Sequence, residues 1–128
     1  MLVCAGMASA TAWAQGADAL PSTSVAYRDC MQRAAGVNAD MHACIATETK
    51  LQDARLNAAY TQLRAAQSPP RRTALTAAQR DWLRFRDSNC GYRNDPQGGS
   101  NARLDAALCL LRMTAERADE LQTLQPPR

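Results

Sequence analysis

The chain has 128 residues, a net charge of +3, 46% hydrophobic residues and only 5% aromatic ones. That length suits a single domain with a real but modest core. Its basic residues, fourteen Arg and one Lys, are scattered rather than run together, so neither nucleic acid nor a membrane surface is indicated as a partner.

Met1 to Ala14 contain no charged residue; Leu2, Val3, Ala5, Met7 and Ala8–Ala12 form an apolar run, followed by Ala12-Trp13-Ala14. This pattern reads as a secretory h-region with a cleavage site before Gln15, so residues 1–14 are expected to be a signal peptide. The run is too short to span a bilayer. No basic n-region precedes it, which points to a start further upstream. With such a start, Cys4 offers the alternative of a lipoprotein cysteine, hence a lipid anchor instead of a periplasmic or secreted protein. Residues 15–23 read as a flexible segment, 24–124 as the folded domain and 125–128 as a disordered tail.

Four helices follow from apolar periodicity and punctuation, and abundant Ala and Leu favour helix over strand. The first, Ser24 to Ala35, is short and carries Tyr27, Cys30, Met31 and Ala34 on one side. Gly36-Val37-Asn38 breaks it, and Asn38 or Asp40 is placed to cap the second helix, Ala39 to Gln67. The apolar stripe of that helix is Met41, Cys44, Ile45, Leu51, Leu56, Tyr60 and Leu63. Ser68-Pro69-Pro70 ends it, because proline interrupts a helix interior but suits the first turn of the next. The third helix, Arg71 to Asn89, presents Leu75, Ala78, Trp82, Leu83 and Phe85. Cys90 to Ser100 reads as a loop, and Ser100 as the cap of a fourth helix, Asn101 to Leu124. The expected fold is all-α, a bundle of about four helices.

After the expected cleavage the chain keeps Cys30, Cys44, Cys90 and Cys109, an even count that implies two disulfides with three possible connectivities. Cys30 and Cys44 flank the break between the first two helices, and Cys90 and Cys109 flank the long loop. Cys30–Cys44 and Cys90–Cys109 are therefore the expected pairs. His42 and Cys44 match no zinc spacing, and no metal or other cofactor is expected.

Three polar residues fall where apolar ones belong. Glu48 lies between Cys44 and Leu51 on the second helix, and Gln79 and Arg86 lie among Leu75, Trp82 and Leu83 on the third. A buried charge is costly unless paired, so a Glu48–Arg86 bridge across the helices, with Gln79 in the same network, is expected. Catalysis is not. Glycosidase-type work needs two carboxylates at a fixed separation, and Asp53 sits on the other flank of Glu48's helix. His42, the one histidine, stands beside a cysteine assigned to a disulfide, and no phosphate loop or nucleotide fingerprint occurs.

Cys44-x3-Glu48-x4-Asp53-x2-Leu56-Asn57-x2-Tyr60, Gln79-Arg80-x-Trp82-x3-Arg86-Asp87-x2-Cys90, Gly98-Gly99-Ser100 and Cys109-x4-Thr114-x2-Arg117-x3-Leu121 stand in this order. The series resembles the LprI-like domain, an exported bacterial family named after a lipoprotein that inhibits lysozyme. The resemblance covers about Cys30 to Leu124 and implies an all-helical, disulfide-bonded envelope protein. It also implies a protein partner, with inhibition of a c-type lysozyme or related muramidase as the function to test. The alternative is a structural or adaptor module of the envelope with no enzyme target.

An inhibitor must enter a cleft bearing two carboxylates, and the Cys90–Ser100 segment suits that task. Tyr92 can stack, Arg93 and Asn94 can donate, and Gly98 and Gly99 permit close backbone approach. The same glycines could serve only the turn into the fourth helix. Because lysozymes are typically basic, electrostatic attraction would need a local acidic patch, for which Asp105, Glu116, Asp119 and Glu120 are the candidates.

Overall fold

The structure, a computed structural model, describes residues 22–127. The signal-peptide reading of residues 1–14, the Cys4 alternative and most of the 15–23 segment lie outside the described residues. Four helices make up the fold, α1 (Val25–Ala34), α2 (Asn38–Ala65), α3 (Pro69–Arg93) and α4 (Gly99–Thr123), with no strand among the described residues. The protein is an all-α bundle, and its disulfides join Cys30 to Cys44 and Cys90 to Cys109, as the sequence led us to expect.

The short connections make successive helices antiparallel, so α2 and α4 run parallel. Arg55 on α2 bonds Asp119 and Gln122 near the end of α4, and Gln125 just beyond α4 donates to the carbonyl of Ala59 at 2.9 Å. α4 packs most extensively on α2 and then on α3, whereas α2 and α3 touch only lightly. α1 folds back over the first half of α2. The bundle therefore has two unlike ends. The proline end holds the α2–α3 turn, and the cysteine end gathers α1, both disulfides and the α3–α4 connection.

The buried stripe of α2 is Cys44, Ile45, Glu48, Gln52, Leu56, Ala59 and Leu63. Its steps of three and four residues pass through two polar positions and leave position 51 off the line. Leu51, expected in this stripe, is 50% exposed for that reason. On α3 the interior is approached by Gln79, Trp82, Leu83, Arg86 and Cys90, and Phe85 falls off that line at 61% exposure. Fully buried Ala115, Ala118 and Leu121 let α4 approach its neighbours closely.

Helix boundaries differ from expectation where backbone chemistry overrode composition. α1 starts from Ser24, whose Oγ accepts the Tyr27 N–H at 3.0 Å. α2 begins at Asn38 from an N-cap Val37 that has no side-chain bond to give, so neither Asn38 nor Asp40 is the cap. Asp40 instead lies in the first turn, where its charge complements the helix dipole. Pro69 and Pro70 are already helical. The expected eleven-residue loop is much shorter, because α3 runs on through Arg93 and α4 begins at Gly99.

Two glycines make that tight connection possible. A Cβ at Gly98 would stand 2.5 Å from the Ala102 side chain, and Gly99 has φ +60°, a left-handed conformation that costs other residues strain. Ser100 lies inside the helix rather than capping it.

Candidate functional site

Glu48 is 3% exposed, and its partners are not on α3. Oε1 accepts the Ser24 N–H and Gln52 Nε2, each at 2.8 Å, and Oε2 accepts the Ser24 hydroxyl at 2.6 Å. In an ordinary capping box the third helical residue accepts the N–H of the cap. In α1 that residue is Tyr27, and the carboxylate comes from α2 instead. Burial alone would raise the Glu48 carboxyl; the Ser24 and Gln52 hydrogen bonds, helped by the Arg28 charge, outweigh it and hold the group below its ordinary range.

The expected Glu48–Arg86 bridge does not form. A carboxylate saturated by three donors gains nothing from a distant guanidinium, and Arg86 has its own partners. Arg86 lies over the Trp82 ring at 5.3 Å, bonds Asp87 at 3.0 Å, reaches Thr114 at 3.4 Å and faces Asp53 at 4.0 Å. Gln79 accepts from Arg117 at 3.1 Å, and Arg117 is the second cation on Trp82, at 5.8 Å. Thus Gln79, Trp82, Arg86, Thr114 and Arg117 form one α3–α4 network and Glu48 belongs to another. Arg117 and Thr114 stood in the sequence pattern, but nothing in their spacing assigned them partners.

The chain entering α1 is tied at both of its neighbours. Ser22 N–H donates to Asp119 at 3.2 Å, Gln52 donates to the Ser22 carbonyl at 2.8 Å, and Asp119 also binds Arg55. Burial would raise Asp119, but its bonds from Arg55 and Ser22 lower it instead. Ser22, Gln52 and Arg55 escaped sequence reasoning because a clamp joining positions this distant leaves no local signature.

At the α3–α4 corner the side chains are differently disposed. Tyr92 is 88% exposed on the last turn of α3. Its neighbour Arg93 pairs with Asp105 of α4 at 3.5 Å, and Asn94 caps α3. Asp95 to Gly98 closes a turn, and Asp95 Oδ1 accepts the Gln97 N–H at 2.9 Å. Cys90–Cys109 ties the two arms just inside the turn. The structure thus brings Tyr92, Arg93 and Asn94 to one corner, while Gly98 and Gly99 shape its backbone.

The four candidate carboxylates form no free acidic patch. Asp105 faces Arg93, Glu116 faces Arg112 at 4.0 Å, Asp119 faces Arg55 and Glu120 faces Arg117 at 2.8 Å. Alongside the corner runs a groove of about 410 Å³ between α1 and α4, walled by Tyr27, Leu108, Cys109 and Leu111 and rimmed by Arg28, Arg93, Asp105 and Arg112. No helix among the described residues is long and apolar enough to cross a membrane.

Comparison with known proteins adds one match. The family model described as lysozyme inhibitor LprI matches residues 24–121, which takes in α1 to α3, the corner and all but the last two residues of α4. No curated protein and no solved structure matches the chain.

Proposed function

The chain belongs to the LprI lysozyme inhibitor family, and from that premise we propose that it is an exported protein that binds a c-type lysozyme or related muramidase and blocks its cleft with the α3–α4 corner. The observation that carries this reading is Tyr92, an aromatic ring 88% exposed beside Arg93, on a turn anchored by a disulfide. Tyr and Arg are the side chains most often responsible for binding energy at protein interfaces. A corner held by Cys90–Cys109 and by the Gly98–Gly99 turn has little freedom left to lose on binding, which lowers the entropic cost of association. Arg93 and Asn94 supply donors toward the carboxylates such a cleft presents.

With each candidate carboxylate already facing an arginine, long-range attraction to a basic enzyme is weak, and affinity rests on short-range contacts. Both partners carry net positive charge, so added salt is expected to screen their repulsion and not to weaken inhibition. The test is a cell-wall turnover assay of c-type lysozyme with the oxidised protein. Inhibition at micromolar protein is expected, with at least a tenfold loss for Tyr92→Ala/Arg93→Ala and an unchanged circular dichroism spectrum. Inhibition undiminished by that double change would remove the corner from the interface. No inhibition at all would favour the envelope adaptor.

A further inference from the structure

From the groove beside the corner we infer a second site, one that takes a small single-chain amphiphile with an anionic head, a carboxylate or a phosphate. The groove is large enough for a small ligand at about 410 Å³. Its wall is mainly apolar, from Tyr27 on α1 and Leu108, Cys109 and Leu111 on α4. Leu108 remains 37% exposed there, although its α4 neighbours Cys109 and Leu111 are buried.

Charge at the rim gives the occupant its sign. Three guanidiniums, Arg28, Arg93 and Arg112, surround the groove against one carboxylate, Asp105, which already faces Arg93. Arg28 Nη1 donates to the Thr23 carbonyl at 3.0 Å, and among the described residues no carboxylate lies within salt-bridge distance of it. Arg112 is only loosely matched by Glu116, at 4.0 Å and with its side chain 48% exposed. Both can turn toward an anion without breaking a buried pair. Guanidinium forks suit carboxylate and phosphate oxygens alike.

The wall also argues for an alkyl chain over a peptide. A peptide would carry an N–H and a C=O per residue into a space whose polar groups stand mainly at the rim, and each unpaired group is costly. An alkyl chain carries none and leaves its head among the arginines. Both walls are braced covalently, α1 through Cys30–Cys44 and α4 through Cys90–Cys109, so the groove exists before any ligand arrives.

The experiment titrates the full oxidised protein with dansylundecanoate, a fluorescent fatty-acid probe, below its micellar range. Saturable binding of one probe per chain is expected, displaced by dodecanoate and by dodecyl phosphate but not by dodecanol or dodecyltrimethylammonium at equal concentration. Arg28→Ala/Arg112→Ala should weaken binding about tenfold, close to 1.4 kcal/mol, and Leu108→Glu should abolish it with the melting temperature preserved. None of these changes touches Tyr92 or Arg93, so lysozyme inhibition should survive them, and the two sites can fail separately. Absence of saturable binding, equal displacement by the cationic amphiphile, or indifference to all three substitutions would overturn the assignment. So would loss of lysozyme inhibition in Leu108→Glu without probe binding by the parent protein, because the groove would then belong to the protein interface.

Discussion

At the proline end of the bundle the core is Leu56, Ala59, Leu63, Ala118 and Leu121, each at most 4% exposed, with Tyr60, Leu75 and Trp82 packed against it. At the cysteine end the corresponding cluster is Cys90, Cys109 and Met113, with Trp82 and Leu110 at its edge. Aliphatic packing holds the first end, whereas two disulfides and the Glu48–Ser24 clamp hold the second. The difference accounts for the apolar surface left open beside the corner. Apolar packing uses up the faces it joins, but a covalent bond or a buried hydrogen bond fixes two segments while leaving nearby apolar surface open. The exposed Tyr92 and the α1–α4 groove both lie at the end held in this second way.

The largest way to break the contrast is to reduce both disulfides. Their separations of 14 and 19 residues imply about 3 kcal/mol each in the chain-entropy account, about 6 kcal/mol together. Chemical denaturation with and without reductant checks the loss, and hydrogen exchange should show α1 opening first while Leu56–Leu63 keeps its protection. If the proline end opened first, the division of labour would be wrong.

Leu121→Ala attacks the other end. Leu121 is fully buried, so the change should cost about 3–4 kcal/mol in urea denaturation. Inhibition by the remaining folded protein should stay intact.

Glu48→Ala should cost about 2–3 kcal/mol, because it strands the Ser24 N–H, the Ser24 hydroxyl and the Gln52 amide rather than a guanidinium. Acid should act through the same clamp. Glu48 and Asp119 both titrate below their ordinary values in the folded protein. The stability they contribute is complete above the unfolded carboxyl values near 4 and is lost as pH falls through the lower folded ones. Melting temperature should therefore hold level above about pH 5 and fall below about pH 4, and Glu48→Gln/Asp119→Asn should flatten that fall.

The smallest expected effect is a gain. Ala35 closes α1 at φ 47°, a left-handed conformation a β-carbon resists, and Ala35→Gly should stabilise the protein by about 0.5–1 kcal/mol in a melting measurement.

The chain itself was legible in much of this. Apolar spacing and the Gly36 and Pro69-Pro70 breaks marked four helices, because helix periodicity and backbone-breaking residues act locally. Cysteines on either side of a turn announced their own pairs, because the turn alone brings them together. The depth of Glu48 and Gln79 was legible for the same reason, since a residue on a buried stripe is buried whatever its polarity.

Partners were another matter. Glu48 meets Ser24 of α1 and not Arg86, and Arg86 and Arg117 meet across Trp82, because a buried polar group is satisfied by whichever donor the folded backbone brings within 3 Å. Periodicity fixes the direction in which a side chain points from its own helix. It carries no information on the rotation and height of the facing helix, and those decided the clamp, the exposure of Leu51 and Phe85, and the groove between α1 and α4.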